Sequence, residues 1–257
     1  VNDIRRINLS FPFYFKSFED RTNFLLTHPD LYIGNLLGHE GKNSLLSYFK
    51  AKGWASSLSV NIGTITDDFG TFDCSIGLTT EGLEQRYKVV EGVFSYLQMV
   101  SEKGIPDYVF EEIKILNKAG WDFMESGSPG EISSGLANNM QNYPPKKVIS
   151  GPNLLENVDK DSTFRFLSNL TPENVLISVH SKDFMNNRDL LEEKWYGTKY
   201  SVVPIANDLL ESWGGPGKLE ELSLPLPNPY VPKDLSLKNS IIDGSERKII
   251  TPPPKVA

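Results

Sequence analysis

The sequence predicts an α+β fold in which one mainly antiparallel sheet has its helices packed on one face. Apolar and polar residues alternate over residues 4–13, 54–62 and 71–78, which is typical of half-buried strands. Helical spacing of apolar residues begins at residue 79, and another strand-like segment, at 174–180, follows these helices. The resulting order of strand, helices, strand pair, long helices and strand favours the α+β class.

The first part of the chain contains one predicted strand and two predicted helices. The strand covers residues 4–13 and ends near Pro12. Thr27 is a suitable N-cap for a helix that ends at Gly38. A second helix is predicted over residues 43–52. Lysines occupy its last turn, where their positive charge interacts favourably with the negative end of the helix dipole.

The next two strands, residues 54–62 and 71–78, are predicted to form a hairpin, because the segment between them contains the turn-like tetrapeptide Asp-Asp-Phe-Gly. In the first of these strands, period-two alternation places four residues on one side: Trp54, Ser56, Leu58 and Val60.

Four helical patterns follow the hairpin. The longest starts at Thr79 and ends at Gly104, and the next has Pro106 at its start. A shorter helix in the segment PGEISSGLANNMQNYPP, residues 129–145, is stopped by its two final prolines. The fourth lies near residues 161–170 and leads into the last strand. Helices this long can cover one face of a sheet of a few strands.

The composition of the chain changes near its end. Residues 1–213, which finish in a short helix near 205–213, are predicted to form one domain. Residues 214–257 are rich in proline and glycine, so we expect an extended segment on a surface or a linker toward a next domain. Trp195 and Tyr196 are expected to hold this terminal segment against the sheet.

Composition and charge exclude several classes of function. The 257 residues carry a net charge of −7, which disfavours binding to nucleic acid and to anionic membranes. Apolar runs are too short to span a bilayer. Cys74 is the single cysteine and lies in a strand pattern, so we expect a buried side chain and a reducing, cytoplasmic compartment.

No complete catalytic constellation is found in the sequence. The chain has three histidines, at positions 28, 39 and 180, and none of them forms an H-E-x-x-H or H-x-x-E-H motif. A nucleophile elbow and a phosphate-binding P-loop are also absent. We therefore expect no catalytic residue, no metal and no cofactor in this chain.

Four collinear blocks resemble the insulin-degrading enzyme and pitrilysin family of zinc metalloproteases. They read "LYIGNLLGHEGKNSLLSYFKAKGWASSL", "FDCSIGLTTEGL", "NLTPENVLISVHSKDF" and "EEKWYGTKYSVVPI", and together span residues 31–205. The first block is similar to the family pattern G-H-x-x-G-H-E-G-x-x-S-L-L-x-x-L-K-x-K-G-W. The similarity is to the second domain of the N-terminal half, an α+β domain of the LuxS and mitochondrial-processing-peptidase type.

This resemblance implies a part in peptide hydrolysis without catalysis by the chain itself. In the family, zinc is held in the first domain, by a motif that is missing here. The chain is then the substrate-binding (exosite) domain of an insulinase-type zinc metalloendopeptidase, inactive alone, with peptides and other domains of the same polypeptide as partners. The alternative is a structural or peptide-binding domain of a degenerate, non-proteolytic relative.

The resemblance also implies residues for an exosite, where a substrate's N-terminal segment would add a strand to the sheet. Carried over by position, these are Gly34, Asn35, Glu40, Leu58, Val60 and Ile62. Asn35 stands where the family commonly has a histidine, and residues 60–62 replace a glycine-rich stretch. Both departures bear on the affinity for substrate.

Structural roles compete with the exosite for the same residues. Glu40 is equally suited to cap the following helix or to balance its dipole, and His39 to form a local hydrogen bond. Three aromatic side chains near the same strand are expected to lie in the core: Trp54, Phe69 and Phe72.

Overall fold

A computed structural model describes residues 4–125, 127–187, 190–215, 220–232 and 234–235. Of Thr64 it describes the backbone only. The strands are β1 (Arg6–Tyr14), β2 (Ala55–Ile65), β3 (Phe69–Leu78), β4 (Leu176–His180), β5 (Leu191–Glu192) and β6 (Lys199–Tyr200). The helices are α1 (Phe18–Thr27), α2 (Pro29–Leu37), α3 (Leu45–Ala51), α4 (Thr80–Glu84), α5 (Arg86–Lys103), α6 (Asp107–Asp122), α7 (Pro129–Asn142), α8 (Lys160–Leu167) and α9 (Asn207–Gly214). Short 3₁₀ turns occur at Pro145–Lys147, Pro172–Asn174 and Lys182–Phe184.

The main sheet has four strands in the order β2-β3-β1-β4, and every neighbouring pair is antiparallel. Its register aligns Leu9 of β1 with Cys74 on one side and with Ile177 on the other. Strands β5 and β6 form a separate two-stranded ribbon. This arrangement of helices and antiparallel strands confirms the predicted α+β class.

The core lies on one face of this sheet. Along β1 the side chains at positions 7, 9, 11 and 13 are buried, and those between them are partly exposed. Helices α2 and α3 contact β2, while Phe166 of α8 packs edge-on against Phe13 and Phe72. Each fully buried aromatic or aliphatic side chain of this kind contributes about 1.5–3 kcal/mol of transfer free energy. Cys74 is buried in β3, as predicted, and burial and then Asp73 raise the pKa of its thiol to about 12.

Helix α1 is not evident from the sequence pattern, and it changes the role of Thr27. Ser17 caps the start of α1, and Thr27 is its last residue, with a hydroxyl that donates to the Asn23 carbonyl at 2.8 Å. His28, in the left-handed region at φ 45°, joins α1 to α2, which begins at Pro29. The predicted N-cap at Thr27 is therefore wrong, because its hydroxyl bonds backward into α1.

The predicted long helix is interrupted. Thr79 caps its start through a bond from the Gly82 N–H at 2.9 Å, and Gly104, at φ 73°, follows its end. Between these points Gln85 leaves helical geometry, at φ −92° and ψ 18°, and separates α4 from α5. The apolar spacing continues across the break, so the periodicity does not reveal it.

Strand β2 starts with a bulge that the alternation does not predict. Its pairing with β3 shifts between Ala55 and Ser57, so that Ser56 and Ser57 are both exposed while Ala55 and Leu58 are buried. An extra residue in one strand reverses the alternation on one side of it. Ser56 and Leu58 therefore do not share a face, contrary to the prediction, whereas Leu58 and Val60 do.

The end of the domain is fixed by a different tryptophan from the predicted one. Trp195 and Tyr196 are 78% and 91% exposed, so their predicted packing against the sheet is wrong. Instead Trp213 of α9 is buried and stacks on Phe94 of α5, with ring centroids 5.9 Å apart. Trp213 has a helix beneath it, whereas Trp195 lies beside the exposed ribbon.

Part of the predicted proline- and glycine-rich segment, 214–257, lies outside the described residues. The part at 220–232 contains neither helix nor strand. It runs over the surface near α3, where the Ser223 N–H donates to the Asn43 carbonyl at 3.0 Å and Leu222 is buried. The division of the chain into 1–213 and 214–257 remains a prediction.

Candidate functional site

Four of the six residues carried over as an exosite lie on strand β2 or directly against it: Gly34, Leu58, Val60 and Ile62. Gly34 lies on α2 directly above this strand. A Cβ atom at Gly34 would stand 3.7 Å from Cγ1 of Val60 and 3.9 Å from Cε2 of Phe72. These are ordinary van der Waals distances, so Gly34 lies against the strand without being sterically required to be glycine. Gly34 and Val60, 26 positions apart, are thus neighbours.

Strand β2 is an outer strand of the sheet. Within the described part of the chain it pairs with β3 only. Alternate peptide groups of such a strand point away from its neighbour and are available to another chain. Its sequence, ASSLSVNIGTI, contains neither a charged residue nor proline, the usual protections of an outer strand. The pairing is regular from Ser57 to Ile62, which gives six residues for an added strand.

The side chains of the carried-over strand residues face the helices. Leu58 is 7% exposed, and Val60 and Ile62 are half-buried against the core. The residues between them, Ser59 and Asn61, are exposed on the open face of the sheet. A bound strand would therefore contact Leu58, Val60 and Ile62 mainly through their backbone groups, with Val60 and Ile62 forming the rim.

The loop between α2 and α3 carries Glu40 and His39. Ser44 caps α3 by accepting a bond from the Ser47 N–H at 3.1 Å, so the alternative role of Glu40 as a helix cap is excluded. Glu40 is exposed and forms neither a hydrogen bond nor an ion pair within the described residues. His39 lays its ring against Gly41, where a Cβ atom would meet Nε2 at 2.4 Å.

Asn35 is exposed on α2, next to Gly34. Glu40 lies beyond the end of the same helix, in the loop that leads to α3. Since α2 and α3 both contact β2, Asn35 lies on a helix that supports the outer strand, and Glu40 lies in the loop between the two supporting helices. The aromatic residues differ among themselves: Phe72 is buried as predicted, Trp54 is half-buried against Tyr48, and Phe69 is 37% exposed.

The histidines occupy separate parts of the fold. His28 joins two helices, with Nδ1 3.8 Å from Oδ1 of Asp30, and His180 ends β4. Among the described residues, no group of three or more histidine, cysteine, aspartate or glutamate side chains could hold a metal ion. In the same part of the chain, no helix has both the length and the apolar character to cross a membrane.

A cavity of about 580 Å³ lies at the opposite end of the sheet and was not indicated by the sequence. It is lined by Ile4, Arg6, Asn8, His180, Ser181, Lys182, Met185, Gly197, Thr198 and Lys199. We call it the cationic cavity. Its residues come from 4–8 and from the distant segments 180–185 and 197–199, so no local motif could have identified it.

Two family models match this chain, one in each half. The family model described as "Peptidase M16 inactive domain" matches residues 3–117, and the one described as "Middle or third domain of peptidase_M16" matches residues 121–256. The chain is 32% identical to insulin-degrading enzyme of Drosophila melanogaster over 250 residues, which are 97% of this chain and 25% of that protein.

Two further comparisons give the same result. Human nardilysin is 34% identical over 212 residues, which are 80% of this chain and 18% of nardilysin. The crystal structure of pitrilysin superposes with a TM-score of 0.78 at 23% identity, covering 92% of this chain and 24% of pitrilysin. The chain thus spans a quarter or less of the length of these relatives. Its residues 3–117 match the inactive domain of the M16 peptidases, and along most of its length it is similar to insulin-degrading enzyme and pitrilysin. The chain therefore belongs to the M16 peptidase family.

Proposed function

We propose that this chain is the non-catalytic, peptide-holding domain of an insulinase-type zinc metalloendopeptidase. The observation that carries the proposal is the outer edge of β2, which no other strand among the described residues covers and which is uncharged and regular over six residues. On the core face of the sheet, α2 contacts this strand and places Gly34 next to Val60. The family membership supplies the reaction to which such a domain would contribute.

The outer edge of β2 would hold a peptide as an added strand. Backbone hydrogen bonds supply the affinity in this mode of recognition, so it tolerates many substrate sequences. Glu40 would meet the substrate's α-ammonium group, because a carboxylate and an ammonium form a charge-assisted hydrogen bond. Its carboxylate is not engaged elsewhere within the described residues, which leaves it available.

The rest of the proposal concerns the whole protein. Zinc and the hydrolytic residues would lie in another domain of the same polypeptide, and this chain by itself would bind no stoichiometric zinc and cleave no peptide. Its partners would be peptide substrates and those other domains, with neither nucleic acid nor membrane among them. The net charge of −7 supports this choice of partners, and the single cysteine supports a cytoplasmic location.

The peptide anchor can be tested with the purified 257-residue chain. The probe is a 14-residue fluorescent peptide without acidic side chains, prepared with a free and with an acetylated N-terminus. Glu40→Gln should weaken binding of the free-amine peptide about fivefold, as expected for a partly solvated charge pair, and leave the acetylated peptide unchanged. Glu84→Gln, on the exposed side of α4, is the matched control and should change neither affinity.

Hydrogen exchange provides a second measurement. The free-amine peptide should slow amide exchange at residues 57–62 and leave residues 176–180 unaffected. Equal binding of both peptides to the wild-type and Glu40→Gln chains would remove Glu40 from the anchor. Binding without protection of β2 would contradict the added-strand mechanism itself.

The parent activity is tested by the coding sequence before Val1. An intact H-x-x-E-H motif with a downstream glutamate, together with a zinc-dependent cleavage of peptides by the longer protein, is the expected result. A broken motif would instead favour the degenerate, non-proteolytic relative. One tightly held zinc ion per 257-residue chain would contradict the assignment of the metal to another domain.

A further inference from the structure

The cationic cavity is lined by several basic side chains on the open face of the sheet. Arg6 of β1 pairs in register with His180 of β4, and both residues are exposed. Lys182 follows in the adjoining 3₁₀ turn, and Lys199 comes from β6 of the ribbon. The described lining contains no carboxylate. In a chain with a net charge of −7, this is a local reversal of sign.

Two of the cations that line the cavity, Arg6 and Lys199, differ from the neighbouring Arg5 in having no counter-ion within the described residues. The Arg5 Nε is 2.8 Å from Oδ2 of Asp183 and forms an ion pair with it. The guanidinium of Arg6 and the ammonium of Lys199 have no hydrogen bond or ion pair within the described residues. Two cations therefore face the same cavity without an internal counter-ion.

Asn8 adds an unsatisfied polar group to the same cavity. Its Oδ1 atom is buried and has no hydrogen-bond partner among the described residues. Buried polar atoms normally have a partner, and an exception requires an explanation. The Nδ2 of the same amide is a donor and is absent from the buried atoms without a partner, so it can donate to an anion that enters the cavity.

We propose that the cationic cavity binds the carboxylates of an acidic segment of a peptide held on this sheet. The inference rests on the proposed function and gives it a substrate class, acidic peptides. Ile4 and Met185 provide apolar walls for the methylene groups of a glutamate side chain. The guanidinium of Arg6 provides a planar pair of donors for its carboxylate.

The spacing of the strands gives the position of the acidic residues. From a strand added beside β2 to Arg6 on β1 there are three strand intervals, or about 14 Å across the open face. An extended chain covers that distance in about four or five residues. A peptide that pairs with β2 over six residues and then crosses the sheet would bring residues 11 and 12 to the cavity.

The test compares two 14-residue fluorescent peptides with free N-termini, one with Glu and one with Gln at positions 11 and 12. Fluorescence anisotropy with the 257-residue chain should give about tenfold tighter binding of the Glu peptide at 50 mM salt, and a smaller ratio at 300 mM. Arg6→Gln should reduce the ratio to about twofold, and Lys199→Gln should reduce it in part.

Matched controls separate charge from misfolding. Lys88→Gln, on the exposed side of α5 and away from the cavity, should leave the tenfold ratio unchanged. All variants should keep the wild-type melting temperature, because Arg6 and Lys199 are exposed. Binding of the Gln peptide should also be the same in every variant.

Several outcomes would overturn the inference. Equal binding of the two peptides to the wild-type chain would do so and would leave the β2 anchor intact. The same holds if Arg6→Gln abolishes binding of inorganic phosphate but preserves the Glu-to-Gln ratio, since the cavity is then a phosphate site. Arg6-dependent binding of the Glu peptide without any binding of the Gln peptide would support the cavity and contradict the anchor. Absence of binding by either peptide would overturn both.

Discussion

The two outer strands of the main sheet differ in length, in composition and in what surrounds them. β2 has eleven residues and two helices packed behind it, whereas β4 has five and lies next to the cationic cavity. Outer strands are usually protected by being short or by carrying charge or proline. β4 is protected by its shortness, but β2 has none of these protections. The two proposals follow this difference: the backbone of a peptide is recognised at β2, and its carboxylates are recognised near β4.

The largest expected effect concerns the start of β2. A Cβ atom at Gly82 would stand 1.8 Å from the Trp54 carbonyl oxygen, immediately before the strand. Gly82→Ala should therefore displace the backbone and lower the free energy of unfolding by about 2–3 kcal/mol. Urea unfolding followed by labelling of the buried Cys74 measures the change.

Gly120→Ala is the matched control for this substitution. Gly120 lies in α6, where an added Cβ has no neighbour within 4 Å. It should raise the free energy of unfolding by about 0.5–1 kcal/mol, because alanine has the higher helix propensity. Gly82→Ala should also abolish the peptide anchor at β2. If that variant keeps its peptide affinity, β2 is not the peptide-binding edge.

The second effect concerns the approach to β4. The Asn174 side chain donates to the carbonyls of Pro12 and Asn169, both at 2.9 Å, and so ties the start of β4 to β1. Asn174→Ala should lower the free energy of unfolding by about 1–2 kcal/mol and should speed amide exchange in β4 more than in β2. Asn153→Ala, at an exposed position, is the control and should be neutral. Equal acceleration in both strands would mean that the two edges open as one unit.

The third prediction is an opposite response to pH on the two sides of the sheet. Burial, opposed in part by His28, raises the pKa of Asp30 at the start of α2, the helix behind β2. A carboxyl whose pKa is higher in the native state than in the unfolded state lowers the stability of the protein as the pH rises from the unfolded pKa through the native pKa. Asp30→Asn should therefore stabilise the protein at pH 7 and make no difference below the unfolded pKa.

Asp183, near β4, should behave in the opposite way. Its hydrogen bonds from Arg5 and Ser181 lower its pKa. The corresponding stability is present above the unfolded pKa and is lost as pH falls through the native value. Urea unfolding of Asp30→Asn and Asp183→Asn at pH 3, 5 and 7 measures both. A common pH dependence of the two variants would contradict the opposite signs.

The smallest expected effect concerns Asn35, where the family commonly has a histidine. Asn35 is exposed, so Asn35→His should change the free energy of unfolding by no more than about 0.5 kcal/mol. If the departure from the family pattern weakens the anchor, the histidine should increase affinity for the free-amine peptide about twofold. Peptide titration of the variant decides this, and a loss of affinity would show that asparagine suits the β2 site better.

Local sequence predicted most elements but failed where a neighbour reverses a local preference. Alternation identified the three long strands, and Thr79 located the start of the long helix. The bulge at Ser56 and Ser57 was not foreseen because serine is acceptable on both faces of a strand. Trp195 was misplaced because an aromatic residue is equally compatible with a core position and with an exposed ribbon.

The sequence by itself determined the α+β class, the burial of Cys74 and the resemblance to the M16 peptidases, because these depend on period, composition and collinear motifs. Only the tertiary structure decided that β2 is an outer strand and that Gly34 lies against Val60. It also brought Arg6, His180 and Lys199 to a single cavity. The physical reason is that strand order and cavities arise from long-range pairing, which leaves no periodic trace in the residues that take part.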